Sequence, residues 1–282
     1  MTPRVASDYD DRQVEAARRV LIDLGQVLGE FRDCIVVVGG WVPDLLLPEA
    51  EEAHVGSIDV DLALDTVQLR DGRYAELLKL LLDTQRYHQG RQPFQMVTTV
   101  KLEDGGPPIS VDIDFLAPKD VKLKASKPKT VDNFRVRQAE VCGTAFRAPE
   151  VIEIEGAMIS GALNRVEVRV AAIPDFLLMK CFALKNREKP KDAYDIVYCL
   201  EHVAGGSEAI VAAWRAPAAA KFAGRATAIL QAKFQAVGSF GPQQVAAFHN
   251  SSNAEERAGH AREAFERVQR FLARLARAAE MS

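Results

Sequence analysis

The segment VVVGGWVPDLLLPEAEEAHVGSIDVDLALD, residues Val36 to Asp65, decides the fold and indicates the chemistry. Its second half alternates acidic and apolar residues, which predicts a strand with one functional face and places Asp59 and Asp61 two residues apart. Because strand side chains alternate between faces, these carboxylates point the same way and repel each other unless a cation lies between them. The pair predicts a divalent metal site, and the alternative is a solvated outer face.

Two glycines end the apolar run that opens this segment. The run from Cys34 to Val38 predicts a strand, and Gly39 and Gly40 follow it directly. Glycine lets backbone amides approach a phosphate without interference from a Cβ. A phosphate-binding turn followed by a carboxylate pair indicates nucleotide chemistry.

A second segment, ISVDIDFL from Ile109 to Leu116, has the same alternation. Its Asp112 and Asp114 share one face, and they offer a third carboxylate if this strand lies beside the strand predicted at 58–64. The sequence does not establish that adjacency. Oxygen ligands of this kind favour Mg²⁺, with Mn²⁺ as the alternative. The predicted metal ligands are Asp59, Asp61, Asp112 and Asp114, the last two as rivals for the third position.

Composition places limits on what this site belongs to. The chain has 282 residues, of which 48% are hydrophobic and 27% charged, enough for one large domain or two smaller ones. No apolar run approaches the roughly 20 residues of a membrane-spanning helix, and the first residues lack a secretory signal, so we expect a cytoplasmic protein with no membrane partner. The net charge of −3 gives no overall attraction to nucleic acid. Four cysteines without a CxxC pair favour buried free thiols over disulfides or zinc.

The pattern along the chain predicts an α/β (α+β) protein with a mixed sheet, flanking helices and a helical C-terminal domain. The α/β domain is expected at 1–173 and the helical domain at 174–282. Predicted helices lie at Asp10–Phe31, Val42–Leu47, Tyr74–Leu82 and Ala254–Ala279, and a further strand lies at Met96–Leu102.

A basic segment, Lys119 to Arg137, contains seven Lys or Arg residues and two Asp residues. A solvated loop is one interpretation. A surface that contacts the phosphate backbone of RNA is the other, because flexible Lys and Arg neutralise phosphates.

The segment LLMKCFALKNREKPKDAYDIVYCL, Leu177 to Leu200, combines cations and acids within helical periodicity. Lys180 and Arg187 are cations available to a triphosphate, and Asp192 and Asp195 lie one helical turn apart, where they can orient those cations. The alternative is an exposed, salt-bridged helix end. His54 and Ser57 lie just before Asp59. His54 is placed to contact a nucleotide or the acid pair, but a lone histidine is more often a structural hydrogen-bonding residue. Ser57 is a candidate donor to a phosphate.

The arrangement hGGW...DVDLAL followed by VDID resembles the nucleotidyltransferase superfamily of DNA polymerase β type. The 177–200 segment is similar to the K-x-x-A-L-x-x-R...[RK]-D-x-x-D pattern of the AbiEii/AbiGii toxins, the enzymatic halves of type IV toxin–antitoxin systems. Lys191 occupies the position usually held by Arg, and it keeps the charge without the planar fork of guanidinium. The resemblance implies catalytic roles for Asp59, Asp61, Asp112, Lys180 and Asp192, and nucleotide binding by Gly39, Gly40, Ser57, Lys180, Arg187 and Asp195.

This resemblance implies a metal-dependent enzyme that transfers NMP from an NTP to an RNA acceptor, with a tRNA 3′ end as the best single choice. A cognate antitoxin is the implied protein partner. Two alternatives share the motifs: an antibiotic nucleotidyltransferase with a small-molecule acceptor, and a catalytically silent nucleotide-binding protein.

Overall fold

The chain builds one mixed β-sheet and a separate group of helices. The computed structural model describes residues 3–70, 72–119 and 136–280. It divides into a sheet unit, Asp10–Val42 with Gly56–Ala172, and a helical unit, Met1–Tyr9 with Pro43–Val55 and Ile173–Ser282. The predicted mixed α/β fold class is confirmed.

Eight strands form the sheet within the described part of the chain. The order is β3-β4-β5-β2-β1-β8-β7, and β6 pairs with β5. The pairs β1–β8, β2–β5 and β5–β6 are parallel, and the others are antiparallel. The strands are β1 (Ile35–Val38), β2 (Val60–Leu64), β3 (His88–Gln89), β4 (Gln95–Val100), β5 (Ile109–Pro118), β6 (Arg137–Ala139), β7 (Glu150–Ala157) and β8 (Leu163–Val170).

The two strands that carry the acid pairs lie side by side near the middle of the sheet. All four residues of β1, IVVV, are buried, as expected for β-branched residues in a strand flanked on both edges. In β5 the residues Val111, Ile113 and Phe115 are fully buried, which leaves the alternate positions on the opposite face.

Helix α1 (Asp11–Val27) packs its apolar stripe on this sheet. Asp10 caps it by accepting a hydrogen bond from the backbone amide of Gln13. Close packing requires glycine at Gly25, because a Cβ there would lie 2.7 Å from Cγ2 of Val166. Among the described residues of the first half, the other helices are α2 (Trp41–Leu46) and α3 (Arg73–Asp83), with 3₁₀ turns at Ala6–Asp8, Gly29–Cys34 and Cys142–Phe146.

The helical unit is built around α5, which begins with Pro at its first position and is buried from Pro190 to Cys199. Pro43–Val55 belongs to this unit, although the sequence places it in the domain at 1–173. Contacts with α5 explain this: the Tyr198 hydroxyl donates to the backbone oxygen of Glu52 at 2.7 Å. The helices are α4 (Ile173–Asn186), α5 (Pro190–His202), α6 (Ser207–Arg215), α7 (Pro217–Lys233), α8 (Phe240–His249) and α9 (Ala254–Glu280).

The predicted elements recur with shifts of a few residues at their ends. The predicted helix Asp10–Phe31 ends at Val27 and continues as a 3₁₀ turn, and the predicted strand Ile58–Leu64 begins at Val60. The β7–β8 hairpin was not predicted, although EVIEIEGA and LNRVEVRV have the period-two alternation of strands.

All four cysteines are buried free thiols, as predicted. Among the described residues, no single helix is long and apolar enough to cross a membrane, and the one pair that reaches this length together, α5 and α6, is bent by 109°.

Candidate active site

Four aspartates on β2 and β5, or just before them, meet on one face of the sheet. We call Asp59, Asp61, Asp112 and Asp114 the aspartate cluster. Strands β2 and β5 are parallel neighbours, and Asp61 pairs in register with Asp114. The adjacency on which the sequence-based hypothesis depended is therefore confirmed.

The carboxylates of the cluster lie close enough to influence one another. Partial burial raises the pKa of Asp112, and the charge of Asp59 raises it further. Burial also raises the pKa of Asp114, to which Asp59 and Asp112 contribute. Like charges held together in this way disfavour ionisation, and a bound cation would relieve their repulsion.

Asp112 and Asp114 differ in their side-chain contacts and in their exposure to solvent. The Gln95 side-chain amide donates to Asp114 at 3.1 Å, and the Arg137 guanidinium lies 3.5 Å from its other oxygen. Both contacts act to lower the pKa of Asp114, although burial outweighs them. Asp112 is exposed. Asp114 is therefore tethered, whereas Asp112 is open to solvent. Gln95 and Arg137 are site residues that the sequence did not single out for this role.

The glycine turn lies directly against the cluster. Gly39 has φ +71°, and a Cβ there would lie 2.1 Å from an Asp61 carboxylate oxygen. Glycine is thus required for its backbone conformation and for the space that Asp61 occupies. Gly40 follows in the same turn and is buried.

Asp59 is held by two further residues from the quoted segment. The indole N–H of Trp41 donates to the backbone oxygen of Asp59 at 2.8 Å, and the Ser57 hydroxyl donates to its carboxylate at 2.6 Å. Ser57 is buried in this position. The predicted phosphate contact of Ser57 stays a prediction, since its hydroxyl has a carboxylate partner here.

The cluster has the oxygen donors that Mg²⁺ prefers, but its side chains do not form a complete coordination site by themselves. Within the described part of the chain, no three His, Cys, Asp or Glu side chains are arranged to hold a metal ion. Mg²⁺ is commonly bound through one or two carboxylates together with substrate phosphates and water. The mutually repelling carboxylates fit that mode, in which the substrate completes the coordination.

The second predicted group lies in the helical unit and forms a buried charge network. We define the Lys180 network as Lys180, Arg187, Lys191, Asp192, Asp195 and His54. Lys180 Nζ lies 3.0 Å from Asp192 Oδ1 and 2.6 Å from Asp195 Oδ2. Arg187 approaches both oxygens of Asp192, at 2.7 and 2.9 Å. The ion pairs expected for a salt-bridged helix end are present, but every member except Arg187 is buried.

Asp195 is the centre of this network. Its Oδ1 accepts from Lys191 at 2.9 Å and lies 2.9 Å from His54 Nε2. Burial alone would raise the pKa of Asp195, but Lys180 and Lys191 outweigh it and hold that pKa well below the usual range. Burial lowers the pKa of His54 to about 4, so the ring is neutral at pH 7, and Nε2 carries the proton because a carboxylate can only accept.

The predicted triphosphate contacts of this group stay predictions. Burial opposes the charge of Lys180, but Asp195 and Asp192 raise its pKa overall, so its ammonium is charged and already paired with two carboxylates. Arg187 is more accessible, with 39% of its side chain exposed. His54 acts in the structure as a hydrogen-bonding partner of Asp195, as expected for a structural histidine. The basic segment Lys119 to Arg137 lies, for residues 120–135, outside the described residues.

A glycine turn packed against aspartates on neighbouring strands of a mixed sheet defines a nucleotidyltransferase-type fold. The crystal structure of JHP933 from Helicobacter pylori is similar, with a TM-score of 0.52 and 11% identity over 96% of this chain and 97% of that one. At this identity the likeness shows the fold alone.

The family is shown by the sequence itself. Residues 30–280 match the family described as nucleotidyl transferase AbiEii toxin, type IV TA system. The chain therefore belongs to the AbiEii family of nucleotidyltransferase toxins. No curated protein matches the sequence.

Proposed function

We propose that this protein is a Mg²⁺-dependent enzyme that transfers NMP from an NTP to an RNA acceptor, with a tRNA 3′ end as the preferred one. The single observation that carries the proposal is the register of Asp61 and Asp114 on parallel neighbouring strands, with Gly39 packed on Asp61. Family membership supports nucleotidyl transfer and a cognate antitoxin as partner.

Each residue of the aspartate cluster has a role in this proposal. Asp59 and Asp61 would hold the metal, and Asp112 would be the third ligand because it is exposed and not tethered. When bound, Mg²⁺ neutralises phosphate charge and lowers the pKa of the attacking hydroxyl. Ser57 and Trp41 keep Asp59 in place, and Gln95 keeps Asp114 in place.

The chemical step follows from these positions. The amides of Gly39 and Gly40 bind phosphate oxygens, since no Cβ obstructs their approach. Asp112, which is exposed on the same face of the sheet, takes the proton of the acceptor hydroxyl. The acceptor oxygen then bonds to the α-phosphorus, and pyrophosphate leaves with the electrons of the broken P–O bond.

Labelled NTPs, Mg²⁺ and total RNA test this proposal directly. The wild-type protein should label RNA, and the double variant Asp59→Asn, Asp61→Asn should label it about 10⁴-fold more slowly, the scale for loss of charged groups that act as one catalytic unit. Glu167→Gln, an exposed acid on β8, is the matched control and should leave labelling unchanged. Equal labelling by the double variant would overturn the proposal. Labelling of a small molecule but not RNA would instead favour an antibiotic nucleotidyltransferase.

A further inference from the structure

A positively charged pocket opens on α9 in the helical unit. We call it the Arg270 pocket, and its open volume is about 600 Å³, including solvent at its mouth. Its residues come from α9, from the start of α6 and from the end of α5. Its lining includes Arg267, Arg270, Arg274, Glu201, Ser207 and Phe271.

Three arginines face this pocket because of their spacing. Arg267, Arg270 and Arg274 lie at i, i+3 and i+7, which places them along one side of a helix. Neighbouring Phe271 is buried and packs against Trp214 at a centroid distance of 5.3 Å, so it forms an apolar floor. Helix α9 therefore presents a row of guanidinium groups above this apolar floor.

The cations of the pocket outnumber its acids. Arg267 pairs with Glu201, and Arg274 pairs with Glu208 at 3.2 Å and contacts the Ser207 hydroxyl. Arg270 has no ion pair or hydrogen bond with the described residues. Burial lowers the pKa of Arg267, and the charge of Arg270 lowers it further, which shows that the two guanidinium groups repel each other.

The chemistry of the pocket selects a phosphate ligand. Guanidinium groups bind phosphate oxygens through paired N–H donors. Among the described lining residues there is no exposed aromatic ring on which a base would stack, so recognition falls on phosphate.

The length of the arginine row indicates more than one phosphate. Seven residues at about 1.5 Å each span roughly 10 Å of helix axis, which exceeds a single phosphate group. We propose that the Arg270 pocket binds linked phosphate groups, either of a polynucleotide backbone or of a triphosphate. The inference goes beyond the proposed transfer reaction and does not depend on it, because binding is measurable without turnover.

Anisotropy of a fluorescein-labelled 12-nucleotide single-stranded RNA, in EDTA between 50 and 200 mM salt, tests the proposal. Arg270→Gln should bind about tenfold more weakly at 50 mM salt. It should also lower the slope of log K against log salt by about 0.7, the value for one phosphate contact on a single strand. Arg262→Gln removes one exposed charge from α9 outside the pocket and should leave the slope unchanged. Because Arg270 is exposed and unpaired, its replacement should not alter the circular dichroism spectrum.

Isothermal titration calorimetry with inorganic tripolyphosphate, in the same EDTA buffer, distinguishes the two sources of phosphate. If Arg270→Gln loses tripolyphosphate binding but keeps the RNA slope, the ligand is a triphosphate. If RNA and tripolyphosphate both bind the variant as they bind the wild type, or if the wild type binds neither, the proposal is wrong. Competition by decaglutamate as strong as that by RNA would also overturn it, in favour of an acidic peptide. None of these outcomes depends on RNA labelling by the enzyme.

Discussion

The aspartate cluster of the sheet unit and the Lys180 network of the helical unit place their carboxylates in opposite electrostatic environments. In the cluster, carboxylates lie beside carboxylates, and the pKa values of Asp112 and Asp114 are raised. In the network, the carboxylates lie among cations, and the pKa values of Asp192 and Asp195 are lowered although both are fully buried.

This difference distinguishes carboxylates that serve catalysis, in the aspartate cluster, from carboxylates that stabilise the fold, in the Lys180 network. Repelling acids raise the free energy of the folded state, and they are retained at functional sites because a ligand relieves them. A paired network offsets the desolvation of its own ions, so removal of one member leaves the others unpaired. We therefore expect changes to the network to affect stability first, and changes to the cluster to affect activity first.

The largest effect is expected from Asp195→Asn. It leaves Lys191 without its buried carboxylate partner and should lower the free energy of unfolding by about 4 kcal/mol. Urea denaturation followed by circular dichroism measures this change. Asp83→Asn disrupts an exposed ion pair of the same i, i+4 spacing, with Lys79, and should leave stability within experimental error. A similar free energy of unfolding for both variants would show that the buried network does not stabilise the fold more than an exposed ion pair.

The pH dependence of stability tests the network a second way. The His54 pKa of about 4 lies below the ordinary value of 6.5, so the unfolded chain binds the proton first as the pH falls. The contribution of neutral His54 to the free energy of unfolding should therefore be fully present above about pH 6.5 and should be lost between pH 6.5 and 4, by on the order of 3 kcal/mol. His54→Gln should flatten this part of the profile, whereas the exposed His88→Gln should not. An unchanged profile for His54→Gln would show that another group titrates.

Gly39→Ala tests whether the turn and the cluster are one unit. The new Cβ would meet Asp61 in a backbone conformation that L residues rarely adopt, which should reduce stability by about 2 kcal/mol. Transfer activity should fall as well, because Asp61 must move. Gly29→Ala, where a Cβ would meet nothing within 4 Å, is the control and should leave both thermal unfolding and transfer unaffected. Full activity of Gly39→Ala would separate the turn from the chemistry.

The smallest expected effect distinguishes the two candidates for the third acid. Asp112→Asn should slow RNA labelling about tenfold more than Asp114→Asn, a difference of about 1.4 kcal/mol in the barrier. The reason is that Asp114 is tethered by Gln95 and Arg137, whereas Asp112 is not. Asp112→Asn should not reduce stability, because the raised pKa shows that the fold disfavours its charged form. The reverse order of rates would assign Asp114 as the third acid.

Local sequence patterns predicted much of the sheet and the acidic residues of the candidate site. The alternation in SIDVDLAL and ISVDIDFL was sufficient for two strands with paired acids, because side-chain alternation is a property of any strand. The β7–β8 hairpin had the same alternation and was missed. Parallel pairing of β2 with β5 was not predictable, since these strands are far apart in sequence and no turn sets their register.

The roles of the charged residues were less accessible. The sequence placed Asp61 and Lys180 together as members of one nucleotide site, because both belong to motifs of the same family. In the structure Lys180 has two carboxylate partners in the helical unit, whereas Asp61 lies in register with Asp114 in the sheet. Arg137 was recognised only as one charge of a basic segment, and its approach to Asp114 depends on the β5–β6 pairing.

By itself the sequence determined the family, the element types and the chemical groups available, since periodicity and motif spacing act over a few residues. The tertiary structure alone decided which charges are neutralised. His54 and Asp195 are 141 positions apart and yet lie 2.9 Å from each other. Burial and charge pairing depend on such contacts across the chain, and they set the electrostatic free energy that assigns each carboxylate to folding or to chemistry.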